Sequence, residues 1–240
     1  MSYKELILSE ATLLRYWPMD NDWLCAKTGL AMTRGGSGTA FGAARQGSAA
    51  GQFNGTDDYL ASSAALDFTA YNALTVEMWI NFLTYDTAAA KIIAEFHTNA
   101  NVVTDGFFIA TDGSALGDPL SILHRGDVGN NSANYNLAST GLNDGAYHHL
   151  VAIFDKSRAS GEVDLYLDGA LKTPTSRPFN ANNTNNFGNR VLHVASRAGT
   201  SAFSNVLVDE LAIYAGVLAE TNILAHYRYS DGRRRRMLCA

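Results

Sequence analysis

Hydrophobic and polar residues alternate in short runs along most of the chain, and turn residues separate the runs. The clearest run is 74–82, LTVEMWINF, in which Val76, Met78 and Ile80 occupy every second position. Alternation of this kind predicts a strand with one face against a core. The run at 147–155 is long and largely apolar, as expected of a central strand covered on both faces. Further strand patterns lie at 91–97, 106–111, 119–125, 191–196 and 205–214.

Turn residues indicate how some of these strands are joined. Asn54-Gly55 stands between AGQFN (50–54) and DDYLAS (57–62), and this dipeptide favours a type I′ hairpin. Asp168-Gly169 is placed in the same way after EVDLYLD, and Asp112-Gly113 separates the strand patterns at 106–111 and 119–125. Strands at this density with Gly and Asn turns predict a sandwich or a barrel.

Two segments break the strand pattern in favour of helix. Near the C-terminus, residues 218–228 place Leu218, Ile223, Leu224 and Tyr227 near helical spacing. The opening residues 3–14, YKELILSEATLL, favour a second short helix. The Asn-rich residues 177–189 predict a surface loop.

Several stretches resemble the concanavalin A-like LamG/jelly-roll domains in order and spacing, and a strand like residues 13–20 typically opens such domains. The resemblance covers roughly residues 12–229 and implies an all-β fold, a two-sheet antiparallel jelly-roll β-sandwich with one concave sheet and a short C-terminal helix. It departs from the family pattern at Tyr147, where Trp is usual. The matching stretches are 52–60, 74–80, 142–155, 163–171 and 208–227.

On this interpretation residues 1–11 form an N-terminal lead, residues 12–229 the LamG-like domain and residues 230–240 a basic tail. The chain has 240 residues and a net charge of −5, from 23 acidic and 18 basic side chains. Without the tail arginines the net charge is −9, with 14 basic residues against 23 acidic. An acidic body argues against nucleic-acid binding through the fold itself. The tail is instead predicted to bind a partner subunit, an acidic protein or packaged nucleic acid through Arg233, Arg234, Arg235 and Arg236.

Targeting and cysteine signals are weak. No apolar stretch reaches the length of a signal peptide or could cross a membrane, so we expect synthesis in a cytoplasm and no membrane partner. Cys25 and Cys239 show no metal or disulfide spacing, which favours two free thiols over a bridge between them.

Glu162 and Asp164 raise the possibility of glycoside hydrolysis. Glucanases of the resembled superfamily carry their catalytic carboxylates on one face of one strand, and retaining chemistry needs two of them about 5 Å apart. Here Glu162 and Asp164 are expected to face the same way, but Tyr166 stands where the next carboxylate belongs and Asp168 belongs to a turn. We therefore predict no catalytic residues and no enzymatic activity, and a hydrolase using Glu162 and Asp164 is the least favoured alternative.

Metal binding is predicted only through the resemblance, which implies a structural calcium ion. Asp20 and Asp209 match positions where acidic residues recur in the family, and carboxylate oxygens suit calcium. Glu210 is expected to point away from Asp209. The alternative is that these acids face solvent or bond to turns. His148 and His149 are adjacent and should point to opposite faces of a strand, so they should not hold one ion together.

Sugar binding requires an aromatic platform and hydrogen-bonding loops. Trp79, with Glu77 on the same face, is predicted to line the concave sheet, and a packed core tryptophan is the alternative. Asn130 and Asn131 are predicted to contact a ligand, and a plain solvated loop is the alternative there.

Together these features predict a non-catalytic LamG-like binding and structural module. The favoured placement is a virion surface component, a bacteriophage capsid decoration or tail protein, that associates with capsid or tail subunits, oligomerises and binds host-surface polysaccharide. A stand-alone carbohydrate-binding, lectin-like protein of the cytoplasm is the alternative. The virion placement rests on analogy at the level of the fold and on the missing signal peptide.

Overall fold

The computed structural model describes residues 1–38, 40–86, 88–97, 105–112, 119–126, 132–138 and 140–230. Within these ranges it confirms the predicted all-β architecture, two antiparallel sheets with short helices near the ends of the chain. The helices are α1 (Tyr3–Leu8) and α2 (Glu220–Ser230). The strands are β1 (Leu13–Trp17), β2 (Met32–Gly35), β3 (Ala40–Gly42), β4 (Ala50–Asn54), β5 (Tyr59–Ser62), β6 (Leu66–Asp67), β7 (Ala73–Thr84), β8 (Ile92–Phe96), β9 (Phe107–Thr111), β10 (Leu120–Arg125), β11 (Ser132–Leu137), β12 (His148–Asp155), β13 (Val163–Leu167), β14 (Ala170–Leu171), β15 (Asn189–Arg190), β16 (Leu192–Val194) and β17 (Asn205–Ala215).

The strands form two large sheets and one small one. The eight-stranded sheet runs in the order β14-β13-β12-β7-β17-β4-β3, with β1 also paired to β17. The seven-stranded sheet runs β11-β10-β9-β8-β16-β5-β2, and β15 pairs with β6. Neighbouring strands pair antiparallel throughout the two large sheets, as a sandwich built from hairpins and crossovers requires.

The core lies between the two large sheets. The inward side chains of β7, Val76, Met78 and Ile80, join one cluster with Phe154 of the neighbouring β12 and with Phe107 of β9 in the opposite sheet. Each large side chain buried in this way stabilises the fold by roughly 1.5–3 kcal/mol. The alternation along β7 thus predicted correctly which of its residues face the core.

The outer face of the eight-stranded sheet is also buried, because both helices pack on it. Tyr3 and Ile7 of α1 and Ile223 of α2 join a second cluster with Trp79 and Tyr214 of the sheet. A capping box starts α1: Ser2 Oγ accepts from the Glu5 N–H at 3.2 Å, and the Ser2 N–H donates to the Glu5 carboxylate at 2.6 Å. Both predicted helices exist, but α1 ends at Leu8, because the apolar pair at the end of the predicted segment begins β1.

The turns differ in how well they were predicted. Asp168 and Gly169 both have positive φ and join β13 to β14, which is the expected type I′ hairpin. The predicted hairpin at Asn54-Gly55 is wrong, because β4 and β5 belong to different sheets. The Asn54 side chain instead accepts N–H bonds from Thr56, Asp57 and Asp58, and this turn carries the chain from one sheet to the other.

Among the described residues, no helix is both long enough and apolar enough to span a membrane.

Candidate functional site

Glu77 and Trp79 do not line an open surface. Trp79 is 1% exposed and Glu77 is 0% exposed, because both lie on the helix-covered face of β7. The prediction that they contact a sugar from the concave sheet is wrong for this arrangement, and the alternative of a packed core tryptophan describes Trp79. The sequence could not reveal this, since strand alternation places a side chain on a face without showing what covers that face.

Glu77 is the centre of a buried network that ties both helices to the sheet. Its carboxylate lies 2.7 Å from His149 Nε2 and 3.0 Å from His226 Nδ1, and it accepts a hydrogen bond from Tyr214 at 2.5 Å and from Tyr3 at 3.4 Å. Burial raises the pKa of this carboxyl, but the charges and hydrogen bonds of His226 and His149 outweigh burial and hold it well below its usual range. Burial lowers the pKa of His226, but the charge and the hydrogen bond of Glu77 outweigh this effect and raise that pKa. The network is structural.

The proposed metal ligands Asp20 and Asp209 lie on the same side of the molecule. Asp209 Oδ2 accepts the backbone N–H groups of Arg45 at 2.8 Å and Gln46 at 2.9 Å, while Asp209 Oδ1 is buried without a hydrogen-bond partner. Burial raises the pKa of Asp209 to about 7, and the charge of Asp20 adds to the effect. Asp20 accepts the Ser48 N–H at 2.6 Å. Of the described residues, no three His, Cys, Asp or Glu side chains are grouped as a metal site on their own.

Glu210 does not point away from Asp209 as expected. Glu210 and Leu211 together face Met78 of β7, which is a β-bulge, and Glu210 has a φ of 57°. Because of the bulge, the side chains of Asp209 and Glu210 both lie on the face of the strand that points away from the core between the sheets. Glu210 then accepts a hydrogen bond from Tyr16, and the charge of Asp209 adds to burial in raising the pKa of Glu210.

Glu162 and Asp164 do not form a catalytic pair on one face. Glu162 precedes β13 and is buried. Its carboxylate accepts hydrogen bonds from the Asn183 backbone N–H at 2.5 Å and from the Asn183 side-chain amide at 2.7 Å, and it lies 2.9 Å from His124 Nε2. Asp164 instead pairs with Arg158 at 2.6 Å and lies 3.6 Å from Arg177. The expectation that these carboxylates share a face is wrong, because the strand begins one residue after Glu162.

The adjacent histidines separate as predicted. His148 lies 2.8 Å from Asp168 and 3.0 Å from Asp144, whereas His149 is buried against Glu77. The hydrogen bond to Asp168 outweighs burial and raises the pKa of His148 to about 9. The two imidazoles therefore contact different carboxylates and do not form one site.

Several predicted residues lie outside the described part of the chain. These are the ligand candidates Asn130 and Asn131, the partner-binding arginines and Cys239. Cys25 is buried and not bonded to another cysteine.

A depression of about 360 Å³ lies at one end of the sandwich, where β4 and β7 end and β17 begins, and we call it the edge depression. Asn205 donates to Thr84 Oγ1 at 3.1 Å on its wall, and the partly exposed ring of Phe203 lies 6.5 Å from the ring of Tyr59. Lys91 and Asp86 form an ion pair of 3.2 Å. The depression is lined by Asn54, Gly55, Phe82, Thr84, Tyr85, Asp86, Lys91, Thr111, Phe203, Ser204 and Asn205.

A second depression of about 180 Å³, the sheet depression, lies on the outer face of the seven-stranded sheet. Ile92, Phe108 and Ala110 belong to an apolar cluster there. Arg197 lies 6.0 Å from the Phe108 ring, and its Nε is 3.3 Å from Glu95 Oε1. Thr111 lines both depressions, so the two adjoin.

Sequence reasoning identified no residue of either depression as a ligand contact. Their walls come from the Asn54-Gly55 turn after β4, from the end of β7, from residues 90 and 91 with β8 to β10, and from residues 197–205. These segments are spread over more than 100 positions of the chain, and the turn signal at Asn54-Gly55 does not indicate a ligand. Only the pairing of strands in the folded sheet brings them together.

Comparison with known families gives one match. The family model Laminin_G_3, described as the concanavalin A-like lectin/glucanases superfamily, matches residues 54–224. This range contains every residue that lines the two depressions. No curated protein matches the chain significantly.

Solved structures share the fold at low sequence identity. Domain 4 of AbnA, a GH43 extracellular arabinanase from Geobacillus stearothermophilus in complex with arabinotriose, is 18% identical with a TM-score of 0.62, over 91% of this chain and 100% of that one. The binding domain of botulinum neurotoxin DC in complex with SialylT is 8% identical with a TM-score of 0.67, over 92% of this chain and 52% of that one. The same neurotoxin domain in complex with rat synaptotagmin II has a TM-score of 0.65, with 8% identity over 91% and 52%. The chain thus spans about half of the neurotoxin domains.

Proposed function

The chain belongs to the concanavalin A-like lectin/glucanases superfamily, and from this premise we propose that it is a non-catalytic carbohydrate-binding module. The observation that carries the proposal is the edge depression, which combines a partly exposed aromatic ring with amide, hydroxyl and charged groups. Solved structures with the same fold include complexes with arabinotriose and with SialylT. A non-catalytic role is supported by Glu162 and Asp164, whose carboxylates are occupied by Asn183, His124 and arginines.

The chemistry of the edge depression suits a sugar. A pyranose or furanose ring has an apolar face that packs on an aromatic ring, and its hydroxyls need donors and acceptors at the rim. Phe203 supplies the ring, while Thr84, Asn205, Lys91 and Asp86 supply polar groups. The sugar would lie at the sandwich edge, away from the helix-covered face that holds Glu77 and Trp79.

Phe203→Ala is expected to weaken glycan binding about tenfold, because losing an aromatic contact costs roughly 1.4 kcal/mol. The purified protein is first screened on a glycan array, and the best ligand is then titrated calorimetrically into both proteins. Phe179→Ala is the matched control, since Phe179 is 52% exposed and lies outside both depressions. Absence of binding to every glycan would remove the proposed function, and equal affinities of Phe203→Ala and the unchanged protein would remove the edge depression as its site.

A calcium ion is proposed as a structural cofactor beside Asp20 and Asp209. The supporting observation is Asp209 Oδ1, a buried carboxylate oxygen without a hydrogen-bond partner. A hard cation prefers such oxygens, and it would offset both the burial and the smaller repulsion from Asp20 that raise the pKa of Asp209. Both aspartates would supply carboxylate oxygens, and the remaining ligands would be carbonyl or water oxygens. Glu210 is engaged by the Tyr16 hydroxyl.

We further propose that the module works within a larger assembly, with a virion surface as the favoured place and a stand-alone cytoplasmic lectin as the alternative. Support comes from the four-arginine run beside an acidic body, because such a run can dock on the acidic surface of a second subunit. The synaptotagmin complex of a neurotoxin domain with this fold adds that such domains bind proteins as well as sugars.

Removing residues 231–240 is expected to shift the protein from oligomer to monomer in sedimentation velocity. The reason is that the run supplies four of the 18 basic residues that can offset the acidic body. A variant in which Arg233, Arg234, Arg235 and Arg236 become lysines is the control, since it keeps the charge. An unchanged sedimentation coefficient after the deletion would contradict a role for the tail in self-association.

A further inference from the structure

The two adjoining depressions point to a class of ligand, and this inference rests on the carbohydrate-binding function proposed above. We propose that the edge depression and the sheet depression are consecutive subsites for one linear, uncharged oligosaccharide. The alternatives are a single sugar held in one depression and an anionic polysaccharide held by the basic side chains.

The two depressions share part of their wall. Thr111 lines both, and its Oγ1 accepts the Lys91 N–H at 2.9 Å. The Ile92 N–H donates to the Ala202 carbonyl at 2.9 Å. Lys91 lines the edge depression and the next residue, Ile92, lines the sheet depression. The two depressions therefore lie side by side on one stretch of surface, within reach of a single extended ligand.

The volumes indicate that the two depressions would contribute unequally to ligand binding. The edge depression, about 360 Å³, falls within the usual range for small-molecule sites, roughly 300–1,000 Å³. The sheet depression, about 180 Å³, falls below that range. Its apolar residues Phe108 and Ala110 are only 7% and 2% exposed, so they offer a small contact surface, which suits the extension of a ligand already held at the edge.

The charges favour an uncharged ligand. Lys91 in the edge depression is paired with Asp86, and Arg197 in the sheet depression is paired with Glu95, which is 0% exposed. Turning Arg197 toward a ligand carboxylate would break its ion pair with the buried Glu95, which is costly. The acidic excess of the chain also repels polyanions. Paired cations and carboxylates can still donate to and accept from hydroxyl groups.

The test is calorimetric titration with arabino-, xylo- and cello-oligosaccharides, each from monosaccharide to hexasaccharide, and with oligogalacturonides of the same lengths. We expect affinity for at least one neutral series to rise about tenfold with length and then level off, as linked subsites predict. The oligogalacturonides should bind more weakly at every length.

Ser121→Trp is designed to fill the sheet depression, because Ser121 lines it and is partly exposed. In this variant long and short oligosaccharides should bind alike. Ser63→Trp is the matched control, since Ser63 is exposed and outside both depressions, and it should keep the rise with length. Thermal unfolding shows that each variant is folded.

The outcomes separate this inference from the proposed function. Binding that does not change with length, that survives Ser121→Trp with its length dependence intact or that favours oligogalacturonides would overturn the linear neutral ligand while leaving a carbohydrate-binding module. No binding by any series, together with a silent glycan array, would overturn both.

Discussion

Replacing Glu77 by alanine is expected to lower the free energy of unfolding by about 3–5 kcal/mol. Glu77 is fully buried, and its carboxylate contacts His149, His226 and Tyr214 at 2.5–3.0 Å. Removing it leaves a buried imidazolium at His226 without its main counter-charge, so the penalty exceeds the value of the bonds that are lost.

The measurement is urea unfolding followed by tryptophan fluorescence, since Trp79 lies beside this network. Glu77→Gln keeps the shape and should lose less than alanine. Glu220→Gln, an exposed acid at the start of α2, is the control and should change stability by less than about 0.5 kcal/mol. A loss at Glu77 no larger than at Glu220 would show that the network does not hold the helices.

Asp209→Asn is expected to stabilise the protein by about 2–4 kcal/mol at about pH 8 in the presence of a chelator. The folded-state pKa of Asp209 is raised by burial to about 7, above the usual value of 3.8 for this side chain. A raised carboxyl pKa means that the folded state binds the proton more tightly, so stability is greatest at low pH and falls as pH rises from about 4 to about 7. Asparagine has no charge to bury and can still accept the N–H bonds of Arg45 and Gln46.

Other groups shape the same pH profile. The raised pKa of His226 gives stability that is present below its unfolded pKa and is lost as pH rises through the folded value. The lowered pKa of Glu77 gives stability that is present above about pH 4.5 and is lost as the pH falls through the pKa of the folded state. Glu210, whose pKa is raised first by burial and then by the charge of Asp209, also lowers stability as pH rises. The variant should therefore show a smaller fall above about pH 4 than the unchanged protein, without losing the part that burial of Glu210 causes.

Added calcium should make the unchanged protein more stable than Asp209→Asn, which is the reverse of the order expected in chelator. It would raise the unfolding temperature of the unchanged protein, whose two aspartates can hold it, and have little effect on Asp209→Asn. Asp67→Asn, an exposed aspartate on the small sheet, is the control and should respond to calcium as the unchanged protein does. Equal responses in all three proteins would contradict a calcium ion at Asp209. Glycan binding measured with calcium and with chelator would then show whether the ion also matters for the sugar.

The fold was largely predictable from the sequence because its signals are local. Alternation along β7 depends only on which side of a pleated strand each residue occupies, and Val76, Met78 and Ile80 face the core as expected. The Asp168-Gly169 hairpin depends on two residues that tolerate positive φ. The Asn54-Gly55 turn has an equally local signal, but the same turn chemistry can close a hairpin or change sheets, and only the strand pairing decides which.

The candidate site was not predictable, since it depends on what covers each face and on which distant segments meet. Periodicity, turn residues and charge in the sequence determined a sandwich or barrel of short strands, a helix near each end of the chain and the acidic body with its basic run. The resemblance to the LamG/jelly-roll domains then implied the two-sheet sandwich. The tertiary structure alone decided that α1 and α2 bury Glu77 and Trp79, that a bulge brings Glu210 beside Asp209, and that Thr111 joins two depressions. The physical reason is that burial and charge at a site are set by neighbours in space, which a linear pattern does not contain.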